Sequence, residues 1–184
     1  YYIPAACVVF GLCVAITPIK DTAFAKALKS IVGIGEHLGK TEEDFYCAIA
    51  SSFMLSADNA HAVHPHHPQK TDATNCVYMN EGIVVKSHAG QKYTSDAVSV
   101  AVFKDLCKKA NVPVQFFANR SDEAGGSTLG NIAMAQVSMN SVDIGLPQLA
   151  MHSTYETAGI KDTYYMIQVM TEFFNSCLLY TSPS

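Results

Sequence analysis

Apolar residues recur at helical intervals over residues 22–38, at Phe24, Ala27, Leu28, Ile31, Val32 and Leu38, and Gly39 follows as a stop, which predicts an amphipathic helix. Thr41-Glu42-Glu43-Asp44 then offers an N-cap with acids in the first turn, opening a second helix through Phe45, Ala48, Ile49 and Ser52. The apolar run over residues 48–55 reads as one buried element that ends just before Asp58. Residues 66–81 hold Pro68, Thr71, Asp72, Asn75 and Asn80 without periodicity and read as a polar surface connection. A strand is expected over residues 82–87. Ser95-Asp96 opens a helix over residues 97–110, with Val98, Ala101, Val102, Leu106 and Cys107 on one face and Lys104, Asp105, Lys108 and Lys109 elsewhere. Residues 114–118 follow as a strand, 119–126 as a polar turn, 128–137 as a helix and 142–145 as a strand leading through Leu146-Pro147 to His152. A last helix over 162–174 has Tyr165, Val169 and Phe173 available to pack back. Strands alternating with helices predict an α/β fold, a mixed central sheet with helices on both faces.

With 184 residues, 49% apolar content and net charge −4, the chain is sized and composed for one globular domain with a real core. Twelve basic against sixteen acidic residues leave no basic field, so no nucleic-acid partner is expected. The six cysteines form no CxxC pair, and reduced thiols in a cytoplasmic setting are the simplest reading. Residues 3–19 carry no charge. A membrane span or signal peptide is disfavoured there by Pro4, Gly11 and Pro18 and by the lack of a basic leader, and a buried strand over 6–16 fits about as well. No membrane partner is expected. The chain begins Tyr1-Tyr2 without an initiating Met and is expected to be a piece of something longer.

Candidate chemistry concentrates after the run over 48–55. Asp58 there either caps the element or presents a carboxylate to a metal or substrate. His61, His64, His66 and His67 lie close in sequence, but Pro65 and Pro68 break any helix that would align the rings for a metal-storage role. Lys86 interrupts the apolar Ile83-Val84-Val85, either as a strand-end lysine in water or as a functional cation. The Gly125-Gly126-Ser127-Thr128-Leu129-Gly130 turn opens a helix and suits an anion, yet Asn131 stands where a phosphate-binding loop has its Lys, so nucleotide binding is not expected. His152 follows a strand, as a ligand or as a satisfied histidine.

The stretches Ser56-Ala57-Asp58-Asn59-Ala60-His61-Ala62-Val63-His64-Pro65, Gly82-Ile83-Val84-Val85-Lys86, Gln91-Lys92-Tyr93, Gly125-Gly126-Ser127-Thr128-Leu129-Gly130 and Val142-Asp143-Ile144-Gly145-Leu146-Pro147-Gln148-Leu149-Ala150-Met151-His152-Ser153 resemble, in unbroken order, the C-terminal half of an M18 metallo-aminopeptidase, the aspartyl aminopeptidase family. The likeness runs from about Asp21 to Asn175. It implies a zinc-peptidase-like fold, incomplete here, and hydrolysis of N-terminal Asp or Glu from peptides at a two-Zn2+ centre. Asp58 would bind one ion and His152 the other. His61, Lys86, Tyr93, Gly126, Ser127 and Thr128 would line the substrate cleft, with Lys86 selecting the acidic side chain, Lys92 facing solvent and His64 shaping the cleft. A homo-oligomer is implied as well.

The family also needs a His-x-Asp motif, a bridging Asp and two adjacent Glu, one a ligand and one the general base, placed shortly before Phe24. Residues 1–20 contain neither Asp nor Glu, so no catalytic residue is expected within this chain, and it is expected to be inactive alone. Residues 1–20 and 177–184 match nothing in the family, whereas residues 21–176 read as peptidase. A non-catalytic assembly or binding module that keeps the shell is the alternative.

Overall fold

The computed structural model describes residues 41–176. The helix expected over 22–38, the apolar segment over 1–20 and the tail over 177–184 lie outside the described residues. Helix α1, Glu42–Ala50, begins at a capping box in which the Thr41 hydroxyl accepts from the Asp44 amide and the Asp44 carboxylate accepts from the Thr41 amide. The run over 48–55 is not one element. Ser51 closes the helix by hydrogen-bonding Cys47, and strand β1, Phe53–Ala57, starts two residues later. Consecutive serines compete for backbone hydrogen bonds and end the helix there. It is therefore β1 that delivers Asp58.

Strands β1, β3 (Ile83–Ser87), β4 (Val114–Ala118) and β5 (Asn140–Gly145) form a sheet in the order β1-β5-β3-β4. β1 runs parallel to β5 and β3 parallel to β4, while β3 and β5 are antiparallel, so the sheet is mixed as expected. A second sheet, β2-β6-β7, joins Ala60–His61, Pro147–Leu149 and Thr157–Ala158. The path over 58–62 continues β1 along the path that continues β5, with Asp58 N–H donating to Ile144, Ala60 to Leu146 and Ala62 to Gln148.

Because side chains alternate across a strand, each central strand feeds two layers. Phe53, Leu55, Ile83, Val85, Val142 and Ile144 point to one face and pack with Phe103, Leu106 and Cys107 of α2 (Ala97–Lys109) and Val169 and Phe173 of α4 (Ile160–Asn175). Val84 points to the other face, in a smaller cluster with Ala60, Val77, Tyr93 and Phe117. That face also carries buried Ser56, Lys86 and Asp143, and α3 (Leu129–Gln136) lies against it through Gly130. Strands covered on both sides read as unbroken apolar runs, as Ile83-Val84-Val85 does.

On α2 the expected apolar face is corrected. Val98 is 66% exposed and Ala101 is exposed, whereas Ser99, Phe103, Leu106 and Cys107 are buried. The reason is the cap: the Asp96 carboxylate accepts from the Ser99 amide and the Ser99 hydroxyl accepts from the Asp96 amide, which turns Ser99 inward and Val98 out. Val77, fully buried, also departs from the reading of 66–81 as a surface loop. Among the described residues no helix is long and apolar enough to cross a membrane.

Helix α4 is tied to the loop before β3 by Asp162, whose fully buried carboxylate accepts from the Asn80 and Gly82 amides, the latter at 3.0 Å. Removing a buried acceptor costs roughly 1–3 kcal/mol for each donor left unmade. Asp162→Ala should therefore lower the thermal midpoint by several degrees and loosen α4 before the sheet. Hydrogen exchange that leaves the protection of α4 unchanged would contradict this.

Candidate active site

Asp58 stands one residue past the C-terminal end of β1, where α/β proteins place their sites. Its backbone is pressed onto β5: a Cβ on Gly145 would sit 1.8 Å from the Asp58 carbonyl oxygen. Only glycine permits that approach, so Gly145 sets where Asp58 stands. The Asp58 residue is exposed, and its carboxylate accepts no hydrogen bond from a described residue.

His61 lies on β2 and pairs in register with Gln148 on β6, which leads directly to His152. Turn residues Ala150 and His152 both have positive φ, at 56° and 65°, a left-handed bend that non-glycine residues rarely adopt. The His152 amide donates to Glu156 at 2.6 Å, closing the bend and leaving the imidazole exposed. Loss of hydration around the His61 ring, although the residue reaches the surface, lowers its imidazole from the usual histidine range. His152 and Lys86 add to that lowering and Asp58 opposes it. Asp58, His61, Lys86 and His152 thus share one electrostatic neighbourhood.

Lys86 is only 2% exposed, which rules out the strand-end lysine in water. Its ammonium donates to the Asp58 carbonyl at 3.0 Å and to the Asn59 carbonyl at 3.5 Å, and lies 5.1 Å from the centre of the Tyr93 ring. Burial lowers its pKa, and Asp58 and Asp143 oppose that. An ammonium has three N–H donors, so two carbonyls leave one for a further acceptor. Tyr93 is buried against Phe117 and His88, and burial, then Asp143 and Asp58, raise its phenol pKa.

Gly126 and Ser127 are exposed, and a Cβ on Gly126 would meet open space. Thr128 is buried as the N-cap of α3, but its hydroxyl makes no capping bond and has no hydrogen-bond partner among the described residues. The amides opening α3 are therefore not occupied by their own cap. This turn is fastened to the one before Tyr93: Lys92 donates to the Gly125 carbonyl at 2.7 Å and Asn131 to the Gln91 carbonyl at 3.1 Å. Lys92 is half-buried in that role, a correction to its expected solvent position. Gly130 brings α3 to β1 and β5, since a Cβ there would lie 2.8 Å from Ser56 Oγ and 3.0 Å from the Asp143 carboxylate.

Asp143, fully buried, belongs to the same neighbourhood and was not singled out from the sequence. The available signal was a carboxylate inside the apolar run Val142-Asp143-Ile144, where a charge needs a partner. His64, His66 and His67 gather together, with the His66 and His67 ring centroids 5.9 and 5.2 Å from that of His64, and His64 Nδ1 is taken by the His66 amide.

Asp58 and His152 offer an oxygen and a nitrogen donor of the kinds zinc accepts, both unspent on hydrogen bonds with described residues. A catalytic zinc takes about three protein ligands. Among the described residues no group of three His, Cys, Asp or Glu could hold a metal ion. The donors present fit zinc in kind and do not complete a centre.

Residues 22–174 match the family model for the aminopeptidase I zinc metalloprotease (M18). The chain is 52% identical over 138 residues to a probable M18 family aminopeptidase 2 of Clostridium novyi (strain NT), covering 75% of this chain and 32% of that protein. It is 48% identical over 137 residues to the corresponding protein of Clostridium acetobutylicum, covering 74% and 32%. The chain thus spans about a third of the length of the curated relatives it matches. Among solved structures, the cryo-EM structure of the Ape4 and Nbr1 complex aligns with TM-score 0.75 at 34% identity, covering 82% of this chain and 28% of that one. The crystal structure of prApe1 aligns with TM-score 0.77 at 25% identity, covering 85% and 33%. Matched by the family model over most of its length, the chain belongs to the M18 family of zinc metallo-aminopeptidases.

Proposed function

We propose that this chain is the C-terminal part of the catalytic domain of an aminopeptidase that removes Asp or Glu from the N-terminus of peptides. The observation that carries the reading is Lys86, a buried ammonium with an N–H to spare, bound to the backbone of Asp58 and sharing the surroundings of His61 and His152. A cleft that selects an acidic side chain must present it a cation, and a desolvated one discriminates most. Tyr93 and His61 border the same cation, and the exposed Gly126-Ser127 turn with the amides opening α3 offers donors to the substrate main chain. Asp58 and His152 would each hold one Zn2+, which when bound supplies Lewis acidity and a nucleophilic water at neutral pH.

The remaining ligands and the general-base Glu belong to the rest of the protein in this reading. The free cysteines Cys47, Cys76 and Cys107 agree with a cytoplasmic setting. A related structure is described as a dodecamer, and a homo-oligomer is proposed here too. The incomplete donor set favours, as a second reading, a binding or assembly module that keeps the peptidase shell.

The 184-residue chain by itself should release no product from an aspartyl-anilide substrate and should hold zinc weakly. Turnover by the isolated chain would contradict this. In the full-length protein, Asp58→Ala or His152→Ala should each abolish hydrolysis and lower the zinc content measured by atomic absorption, with the fold intact by circular dichroism. His64→Ala should do less, and the reverse order would overturn the ligand assignment.

Lys86→Ala should depress kcat/KM for Asp and Glu substrates by about ten- to a hundredfold, the worth of one charge-assisted contact. Hydrolysis of Leu or Ala substrates should be spared or raised. An equal loss on both classes would move the specificity assignment to another residue.

A further inference from the structure

Asp143 is a buried charge that the proposed chemistry leaves unused. The antiparallel register pairs Val84 with Gly145 and Val85 with Ile144, and one step further sets Lys86 beside Asp143 on the same face of the sheet. Asp143 Oδ2 accepts from the Thr94 amide at 2.6 Å and from the Thr94 hydroxyl at 3.0 Å. The Asp143 amide donates to Ser95 Oγ at 3.0 Å, and the Thr94 hydroxyl also meets Ser141 Oγ at 3.0 Å. The other carboxylate oxygen, Oδ1, has no hydrogen-bond partner among the described residues.

A carboxylate fully removed from water, held by neutral donors and bare at one oxygen, is costly to keep for folding alone. Its geometry has a clear effect on the neighbouring residue. Thr94 follows Tyr93, so pinning Thr94 to β5 fixes the main chain from which the Tyr93 ring extends over the Lys86 ammonium. Phe117 and His88 meet the ring itself, and His88 holds the start of that turn, its Nδ1 accepting from the Gly90 amide and its carbonyl from the Gln91 amide, both at 2.9 Å, whereas Thr94 on the far side of the ring is held by Asp143. The charged and titratable groups around Lys86 are Asp58 beyond β1, His61 on β2, Tyr93 after β3 and Asp143 on β5. Of these, Asp143 alone is bonded to the turn that carries Tyr93.

We propose that Asp143 is a positioning residue for acidic-substrate specificity: by holding Thr94 it seats Tyr93 against Lys86 and so aims the remaining ammonium N–H into the cleft. This rests on the reading of Lys86 as the specificity cation. Asp143 itself touches no substrate. A misaimed ammonium weakens a contact made equally in the ground and transition states, so its loss appears in KM and leaves kcat in place.

The test uses the full-length zinc-loaded protein with aspartyl and alanyl substrates. Asp143→Ala should raise KM for the aspartyl substrate about tenfold, as for the loss of one aligned charge-assisted contact, with kcat and the alanyl reaction unchanged. Asp143→Asn keeps an acceptor for Thr94 and should restore most of that loss. Thr94→Val removes one of the two Thr94 donors without touching the strand, and it should shift KM the same way by a smaller factor, which keeps the test open if Asp143→Ala does not fold. A fall in kcat, or an equal loss on both substrates, in Asp143→Ala or Thr94→Val would overturn the positioning role, as would an Asp143→Asn no better than Asp143→Ala. Lys86→Ala run alongside separates the two levels. If it loses no acid selectivity, the specificity reading itself falls. If it loses selectivity while Asp143→Ala and Thr94→Val keep theirs, only the role of Asp143 falls.

Discussion

The hydrogen bond from the Lys86 ammonium to the Asp58 carbonyl joins the end of β3 to the bend between β1 and β2. Both partners are where they are for backbone reasons. Asp58 is held by its own amide on Ile144 and by the absence of a side chain on Gly145. Lys86 is held because β3 is covered on both faces and only 2% of the residue's surface reaches water. An ammonium buried in that way needs acceptors, and carbonyls at the end of a parallel strand supply them without adding a compensating full charge. The cation therefore remains available to attract a carboxylate from outside.

β5 organises the rest. It pairs in parallel with β1 and antiparallel with β3, so one strand sets the register of both elements that carry the site. Its alternate side chains divide the work: Val142 and Ile144 enter the large core with α2 and α4, while Ser141 and Asp143 face the site layer. Its continuation into β6 then pairs with β2 and brings His61 alongside the segment leading to His152. A shift of β5 by one residue would exchange core and site faces together.

The helices expected over 97–110, 128–137 and 162–174, the capping signals at Thr41 and Asp96, and the strands expected over 82–87, 114–118 and 142–145, found at 83–87, 114–118 and 140–145, were legible because local chemistry and tertiary packing agree there. The failures have local causes. Ser51-Ser52 split a run that looked continuous, and the Asp96–Ser99 capping box rotated α2 so that a serine replaced Val98 on the inner face. The pairs of site residues were not legible from spacing, because they depend on register. His61 finds Gln148, and Lys86 finds Asp58, only through strand pairings between distant segments. The site assignments rest on the likeness to the family's motifs. Lys92 and Asp143 needed the partners Gly125 and Thr94, which no motif announces.

The most direct measurement is a crystal structure of the full-length protein grown with zinc and free aspartate, with anomalous scattering collected at the zinc edge. The account predicts two zinc peaks, the Asp58 carboxylate and the His152 imidazole each about 2.0–2.2 Å from a different one. It also predicts the aspartate side-chain carboxylate on Lys86 Nζ, with Tyr93 still against the ammonium. Zinc bound away from Asp58 and His152, or an aspartate side chain that turns from Lys86 to another cation, would contradict it.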